Sequence, residues 1–569
     1  MTTQKRIEEA RPIIDLIYPN EEKKRLMIER NFSLSKLPED YISNLEISSL
    51  CELFCPRNQY FCQKILTELC DDVEIIKYRQ DTLEDFLTVK KLMPILYKTV
   101  SEMLTNDRTN IHNIDSVQSF TALNGQINAL DCYISCIDRL HEFFEQNKEN
   151  IKSEAINKLF SHFEGIYSSV DYTFLRECMA ELHTALENRI RSVTVAINFD
   201  EEMLPVSAGI VGYSTKPVGV KPSVFDKIIY RGAEFPEQTV KGKLYTKYIP
   251  RKSVNRDTDL NEIDKAIFDE LEKITDKYLR TLSDALASYK AIGFDEIYAL
   301  ETQLDFYDGV VRFIEAAQAR GIEMCRPEIL PSEDRKFEAQ GLFDVAFYKR
   351  ITGIEHNKKG DGLIVRNDIS FDDSARFYIL TGANNGGKTT FVRAIGICQV
   401  LSQAGLYAPA KSCKISLCDY IYTNFPKEEE VGINSSRFTT EVKEFKEISK
   451  TITKKSWLLM NESIQSTTPK ECVEIASELV KIFAIIGVRG IFATHLTDLA
   501  FLCDEINSDK DVRSKLKSIV MTVDEQTGER KYKIKEDLPS SQSFAKAVFE
   551  KFGIDIELIR ENAKRHERN

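Results

Sequence analysis

The chain is 569 residues long, beyond the reach of one ordinary core, and its 42% hydrophobic and 29% charged residues describe a folded protein of roughly three or four structural units. Its formal net charge of −12 at pH 7 excludes a surface built uniformly to neutralise nucleic-acid phosphate. The first residues, MTTQKRIEEARPIIDLIY, have neither the apolar core of a signal peptide nor the acid-poor character of a transit peptide, so a cytoplasmic or nucleoid-associated chain, not secreted, is expected. The longest strongly apolar run, residues 479–488, is too short to cross a bilayer and is read as a buried helix, so no membrane association is expected. Thirteen cysteines are scattered without CxxC pairs and are read as buried reduced thiols. The helically spaced pairs Cys51/Cys55 and Cys132/Cys136 could hold a metal only with ligands from elsewhere.

In chain order, residues 1–110 carry apolar side chains at helical spacing, clearest from Val73 to Leu96, and should pack as a bundle. From Gln118 to Glu145, the residues Leu123, Ile127, Leu130, Ile134, Ile137, His141 and Phe144 step by four and three, the spacing of a coiled-coil seam, which predicts a long helix with His141 packed in its interface. After Arg191 the period changes to two in SVTVAINF, and Pro and Gly become frequent until about Pro250, so a small β-rich insert is expected. Between Lys216 and Arg256 ten Lys/Arg face only three acids, a basic island in an acidic chain. Helical spacing resumes at Ile263, Ile267, Leu271, Ile274, Tyr278 and Leu282 and continues to Ala317, so two helical arms flank a β-rich tip. From Leu363 the pattern is strand, glycine loop, helix, then strands at Trp457–Met460 and Gly490–Ala493, as in an α/β nucleotide-binding domain. A β-hairpin (SIVMTV, RKYKIK) and two short helices should complete the chain.

The chemistry sits in that last region. Gly382-Ala383-Asn384-Asn385-Gly386-Gly387-Lys388-Thr389, followed by Thr390, fits the phosphate-loop pattern G-x-x-x-x-G-K-[ST] between an apolar strand and a helix. The glycines let successive N–H groups and the helix N-terminus face phosphate, Lys388 reaches the β and γ phosphates, and the Thr389 hydroxyl is placed for Mg²⁺, so ATP with Mg²⁺ is the expected ligand. The strand at Trp457–Met460 ends on Asn461-Glu462, where such strands normally end on Asp-Glu, the Asp holding Mg²⁺ through water and the Glu acting on the attacking water. Asn461 keeps an oxygen acceptor without the charge, so weaker Mg²⁺ binding and slow hydrolysis are expected, with Glu462 as the base and, beside Thr389 and Asn461, a metal-site residue. His495 ends the next strand. Alone it is either a satisfied surface histidine or a contact for the γ-phosphate or attacking water, and its place after the two phosphate strands favours the second.

These motifs together resemble the MutS family of DNA mismatch-repair ATPases, within the ABC-type ATPase superfamily. TGANNGGKTT is similar to the family's TGPNMGGKS-type loop, with Asn385 in place of methionine and Thr389 in place of serine. SSRFTTEV is similar to S-T-F-x-x-E-M, FATHLTDL to F-A-T-H-x-x-E-L, and MNESIQSTTP stands for D-E-[LIP]-G-R-G-T-S. The resemblance implies that Ser436 of one subunit approaches the γ-phosphate bound by the other, supported by Phe438 and Glu441, with Arg437 replacing the usual threonine. A homodimer with two composite sites follows, and the tail around Ser543–Ala547 and Gly553–Asp555 resembles dimer-supporting helices. Upstream, IIKYRQDTLEDFL and QLDFYDGVVRFIEAAQARGIEMCRPEI resemble core and lever segments.

The implied fold is multidomain, α and α/β: helical core (1–110), lever helices (111–191), β-rich clamp-like insert (192–256), returning lever and core helices (257–335), ABC-type P-loop ATPase domain (336–510) and a C-terminal hairpin with a helical tail (511–569). At the tip, Lys241, Lys243, Lys247, Arg251 and Lys252 are the expected DNA contacts, made through phosphate. The family's mismatch reader carries Phe-x-Glu in a separate N-terminal α/β domain, whereas this chain opens with helices and its Phe143-Phe144-Glu145 lies in a helix seam. The expected activity is an ATP-gated clamp on duplex or branched DNA, in repair or recombination, without mismatch reading of that kind. The alternative is an ATP-dependent switch acting on a protein or ribonucleoprotein partner.

Overall fold

The computed structural model describes residues 14–108, 120–187, 192–203, 205–214, 245–248, 280–290, 295–354, 364–383, 386–426, 437–464, 468–523 and 530–539. The chain forms two compact units, one of residues 99–146 and 160–297, the other of residues 1–98, 147–159 and 298–569. Among the described residues, no helix is long and apolar enough to cross a membrane. All thirteen cysteines are free, and all but Cys132 and Cys325 are buried.

In the first unit the expected long helix runs Phe120–Asn147, with Ile127, Leu130, Ile137, Leu140 and Phe144 buried. Steps of three and four place these side chains on one stripe, and covering that stripe is what holds the helix. His141 has the packed role expected of it: its ring stacks on Tyr167 with centroids 3.8 Å apart, and its Nδ1 lies 2.6 Å from Glu164. Phe144 stacks on Phe160 at 4.3 Å, a structural contact. Cys132 and Cys136 do meet a third potential ligand, Glu102, all three ligand atoms lying within 4.8 Å of one another. The Glu102 carboxylate, however, accepts from Arg139 at 2.9 Å, and burial pushes both thiols up, so protonated thiols and an ion pair satisfy the cluster as it stands. The period-two segment forms β1 (Ser192–Phe199), which pairs antiparallel with β2 (Pro205–Ser214), as β2 does with β3 (Tyr245–Tyr248). Lys247 falls on β3, while Lys241, Lys243, Arg251 and Lys252 lie outside the described residues.

In the second unit, β4 (Glu328–Leu330), β5 (Phe337–Leu342), β6 (Asn367–Phe371), β7 (Phe377–Thr381), β8 (Ser412–Ser416), β9 (Ile421–Asn424), β10 (Trp457–Asn461), β11 (Arg489–Ala493), β12 (Leu516–Val523) and β13 (Arg530–Glu536) form two sheets, ordered β4-β8-β5-β6 and β13-β12-β7-β11-β10-β9. The run from β12 to β9 is parallel throughout, and β13 closes its edge antiparallel to β12 as the expected hairpin. A parallel strand covered on both faces has no polar side, which is why FYILT and WLLMN read as continuous apolar runs. The wholly buried Arg489 ties the two sheets together: its guanidinium donates to the carbonyls of Lys336, Ser416, Leu417 and Lys455 and lies 4.9 Å from the centre of the Trp457 ring. Burial holds its pKa down to about 10.

The Lys388–Gln403 helix, which starts at the glycine loop, is gripped by the helical segment at both ends. Near its start, Arg393 donates through Nε to Asp344 at 2.7 Å and also pairs with Glu46. At its end, Gln403 donates to the carbonyls of Cys70 and Cys418 at 2.9 and 3.1 Å. Gly405 (φ +79) lets the chain turn where a Cβ would stand 2.5 Å from the Cβ of Arg79. Arg79 is itself buried and paired with the equally buried Glu68 at 2.9 Å.

Residues 479–488 do not make a buried helix. They finish the Pro469–Ile486 helix and turn at Gly487 (φ +91), with Val480, Phe483 and Ala484 inside but Ile482 46% exposed. An apolar run of this length wraps the whole circumference of a helix, and only one side of this one meets the sheet.

Asp72 illustrates how the helical segment is stabilised. Its carboxylate caps the Val73–Thr88 helix, accepting from the amides of Glu74 at 2.9 Å and Ile75 at 3.4 Å, and it pairs with Lys23. Partial burial acts to raise this pKa, but Lys23 and the two amides outweigh it and hold the group below its ordinary value. A depressed carboxyl contributes stability above its unfolded pKa and loses it as pH falls through the folded one. Asp72→Ala is therefore expected to cost about 1 kcal/mol near pH 7, with the difference shrinking below about pH 4, in denaturant titrations across pH. A difference that stays constant into acid would show that the charge contributes nothing.

Candidate functional site

β7 ends at Thr381, and the loop that follows needs glycine for steric reasons. Gly382 (φ +149) passes so close to β12 that a Cβ would stand 2.7 Å from the Cβ of Met521, and Gly387 (φ +93) takes a left-handed conformation just ahead of the helix. The amide of Gly386 donates to the carbonyl of Ala383 at 3.0 Å, closing the turn. The helix therefore begins at Lys388 with its free N–H groups at the C-terminal edge of the parallel sheet, where an anion is stabilised. Asn384 and Asn385 lie outside the described residues.

Lys388 folds back over this loop and donates to the carbonyls of Gly382 at 3.0 Å and Ala383 at 3.3 Å. It is only 4% exposed, and burial pushes its pKa down to about 8 although Glu462, 4.0 Å away, acts to raise it. Thr389 donates to Oδ1 of Asn461 at 3.2 Å, so the two oxygens that a cation would share already touch. Glu462 and His495 come together across the ends of β10 and β11, with His495 Nε2 2.8 Å from Glu462 Oε1 and 3.3 Å from Lys388 Nζ. One ring nitrogen cannot donate to the carboxylate and accept from the ammonium at once, and the adjacent carboxylate favours the Nε2–H form. The structure thus brings Lys388, Thr389, Asn461, Glu462 and His495 to one edge of one sheet. Ser436 lies outside the described residues, and Thr390 lines the cavity described next.

That cavity, of about 540 Å³, continues from the loop between the helix and the hairpin. Phe343, Phe347, Ile364 and Met521 give it an apolar wall, and Tyr532 closes it, with its ring edge 3.1 Å from where a Gly387 Cβ would be. Tyr532 has a left-handed backbone (φ +53) held by Asn367, whose amide donates to the Tyr532 carbonyl at 3.0 Å and accepts from the Ile534 amide at 2.9 Å. Asp344 orders the opposite side: it accepts from the Ala346 and Phe347 amides at 2.9 and 3.1 Å, capping the Val345–Ile354 helix, while it holds Arg393. Removing this fully buried carboxylate takes away one of the two carboxylates that hold the buried Arg393 and uncaps the helix, so Asp344→Ala is expected to cost about 2–4 kcal/mol in chemical denaturation. A cost below about 1 kcal/mol would contradict the pairing. The sequence reading missed this wall. Its residues come from four separated segments, and only the glycine at 387 hinted that something packs closely there.

A parallel sheet whose central strand runs through a glycine loop into a helix, with a lysine, a hydroxyl and a carboxamide converging there, is the arrangement of the P-loop class of nucleoside-triphosphate-binding domains. Comparison with known proteins narrows the class. Residues 378–568 match the family model described as MutS domain V, and residues 71–320 match the MutS2 N-terminal domain. The DNA mismatch repair protein MutS of Thermosipho melanesiensis is 34% identical over 149 residues, 26% of this chain and 18% of that protein. Its namesake from Chlorobium phaeobacteroides is 33% identical over 188 residues, 33% of this chain and 20% of that protein. The one from Microcystis aeruginosa is 29% identical over 261 residues, 44% of this chain and 28% of that protein. The matched segments thus span less than a third of these relatives. The chain belongs to the MutS family.

Proposed function

We propose that the chain is an ATP-binding, ATP-hydrolysing MutS-type protein that works as a homodimer on duplex or branched DNA. The observation that carries the nucleotide reading is the convergence of Lys388, Thr389, Asn461, Glu462 and His495 on the glycine loop, beside an apolar cavity of about 540 Å³. The loop and helix N-terminus take the phosphates, and Tyr532 with Phe347 and Met521 takes the flat apolar base. The donor set fits Mg²⁺: the Thr389 hydroxyl and Asn461 carboxamide supply neutral hard oxygens 3.2 Å apart, with Glu462 close by. Bound there, the ion would neutralise phosphate charge. Glu462 is positioned to accept the proton of the attacking water, and His495 orients that carboxylate through the 2.8 Å contact.

Family membership and the basic island support DNA as the macromolecular ligand. An ATPase assay with and without duplex, mismatched and branched DNA tests the whole reading, and stimulation by one of the three names the structure preferred. No ATP binding at all would remove the nucleotide arm, and no DNA affinity at low salt in any nucleotide state would remove the DNA arm. Reversing the charges of Lys241, Lys243, Lys247, Arg251 and Lys252 together is expected to weaken DNA binding by at least about ten-fold and to flatten its salt dependence, measured by fluorescence anisotropy at several salt concentrations. Unchanged binding would place the contact elsewhere.

A further inference from the structure

The turn that carries Glu462 does not hold itself in place. Glu462 (φ +51) and Ile464 (φ +58) both lie in the left-handed region, and for a β-branched residue such as Ile464 that backbone is strained. In the motif D-E-[LIP]-G-R-G-T-S, the position of Ile464 is the glycine, which adopts such a backbone freely. Three external bonds keep the strained turn. The Glu462 amide donates to the Ala493 carbonyl at 2.7 Å. The Ile464 amide donates to Oε2 of Glu441 at 3.0 Å, a buried bond. Ser463 donates through its hydroxyl to the Asn424 carbonyl at 3.2 Å, and the Asn424 amide in turn donates to Glu444 at 2.9 Å.

One of these three restraints therefore comes directly from the Arg437–Thr451 helix and a second is backed by it through Asn424 of β9, Glu441 and Glu444 lying three residues apart on the same face. That helix begins directly after Ser436, the residue expected to meet a partner's nucleotide. Any shift of the helix must move the Ile464 amide, because a 3.0 Å bond between buried groups leaves no slack.

We propose that Glu441 is a positioning residue for the Glu462 turn, so that the seating of the Arg437–Thr451 helix sets the hydrolysis rate in the same subunit. This rests on the ATPase reading above. Through the Glu441 carboxylate, the helix that follows the signature segment controls a carboxylate at the end of β10, and engagement of that segment becomes a signal read at the subunit's own site. Glu444 acts on the same turn more weakly, through Asn424 and Ser463.

The test uses the full-length protein, with binding read by a fluorescent ATP analogue and hydrolysis by steady-state phosphate release, for wild type, Glu441→Ala, Glu441→Gln and Glu444→Ala. Glu441→Ala should lower kcat about ten- to a hundred-fold while nucleotide affinity stays within about three-fold. Glu441→Gln keeps an oxygen acceptor for the Ile464 amide and should recover kcat to within about three-fold of wild type. Glu444→Ala should lower kcat by roughly two- to five-fold. The proposal is overturned if Glu441→Ala turns over at the wild-type rate, if it loses affinity and kcat in step, or if the Gln variant is no better than the Ala variant. Should Glu441→Ala fail to fold, Glu444→Ala decides, and a wild-type kcat there overturns the proposal. A wild type that neither binds nor hydrolyses ATP defeats the ATPase reading itself, whereas an active wild type indifferent to both positions defeats only the positioning role.

Discussion

Lys388→Met is expected to abolish ATP binding while making the free protein more stable. Lys388 is 4% exposed and its pKa is pushed down to about 8, because burial strips its ammonium of water and the free protein offers it two carbonyls, a ring nitrogen of His495 at 3.3 Å and one carboxylate at 4.0 Å. One pKa unit is about 1.4 kcal/mol, so keeping this lysine charged costs the free fold on the order of 3 kcal/mol. For a base whose folded pKa is depressed, that cost is present in full below the folded value and disappears as pH rises towards the unfolded one. The melting temperature of the Met variant should therefore exceed that of wild type at pH 7, and the gap should narrow above about pH 8. In the complex the balance reverses, because the phosphates supply the missing counter-charge, and losing that pairing should weaken ATP by at least about a hundred-fold. Calorimetric melting across pH, together with ATP titration, checks both halves. A variant that melts lower at pH 7, or binds ATP within about ten-fold of wild type, removes the basis for the argument.

The second large effect is expected at the β10 terminus. If Glu462 takes the proton from water, Glu462→Gln should lower hydrolysis by about 10²–10⁴-fold and leave ATP binding nearly intact, since the amide fills the same volume but is no base. Asn461 sets the complementary test. It is 3% exposed and 3.2 Å from the Thr389 hydroxyl, so Asn461→Asp places an anion where only a cation can compensate it. The Mg²⁺ concentration for half-maximal activity should fall by roughly ten-fold and turnover should rise. A Gln variant that keeps full turnover would remove Glu462 as the base. An Asp variant with an unchanged Mg²⁺ requirement would remove position 461 from the metal site.

The loop from Gly382 to Thr389 was legible because its chemistry is local: eight consecutive residues contain the turn, the cation and the hydroxyl. Glu462 and His495 were legible for a related reason, since each ends an apolar strand, and parallel strands deliver their C-terminal residues to the same edge. The long seam around His141 was equally readable, because helical spacing reports burial of one stripe. The run at 479–488 misled, because ten apolar residues in a row do not say which side of a helix will be covered. Tyr532, Asn367 and Phe347 gave no signal, since their meeting depends on β13 lying against β6 and on a cap at Asp344.

The sequence by itself determined the kind of ligand proposed for this protein, because phosphate recognition by backbone N–H groups and one lysine needs only a short segment with glycine at fixed places. It also settled the family, because several such segments recur in order. The tertiary structure alone decided how the Glu462 carboxylate is held. Ile464 and Glu441 are 23 residues apart in the chain and joined by one buried bond, and nothing in either residue type announces the other. Strain at a turn and the contact that sustains it are properties of packing, which fixes distances between segments that the order of residues leaves free.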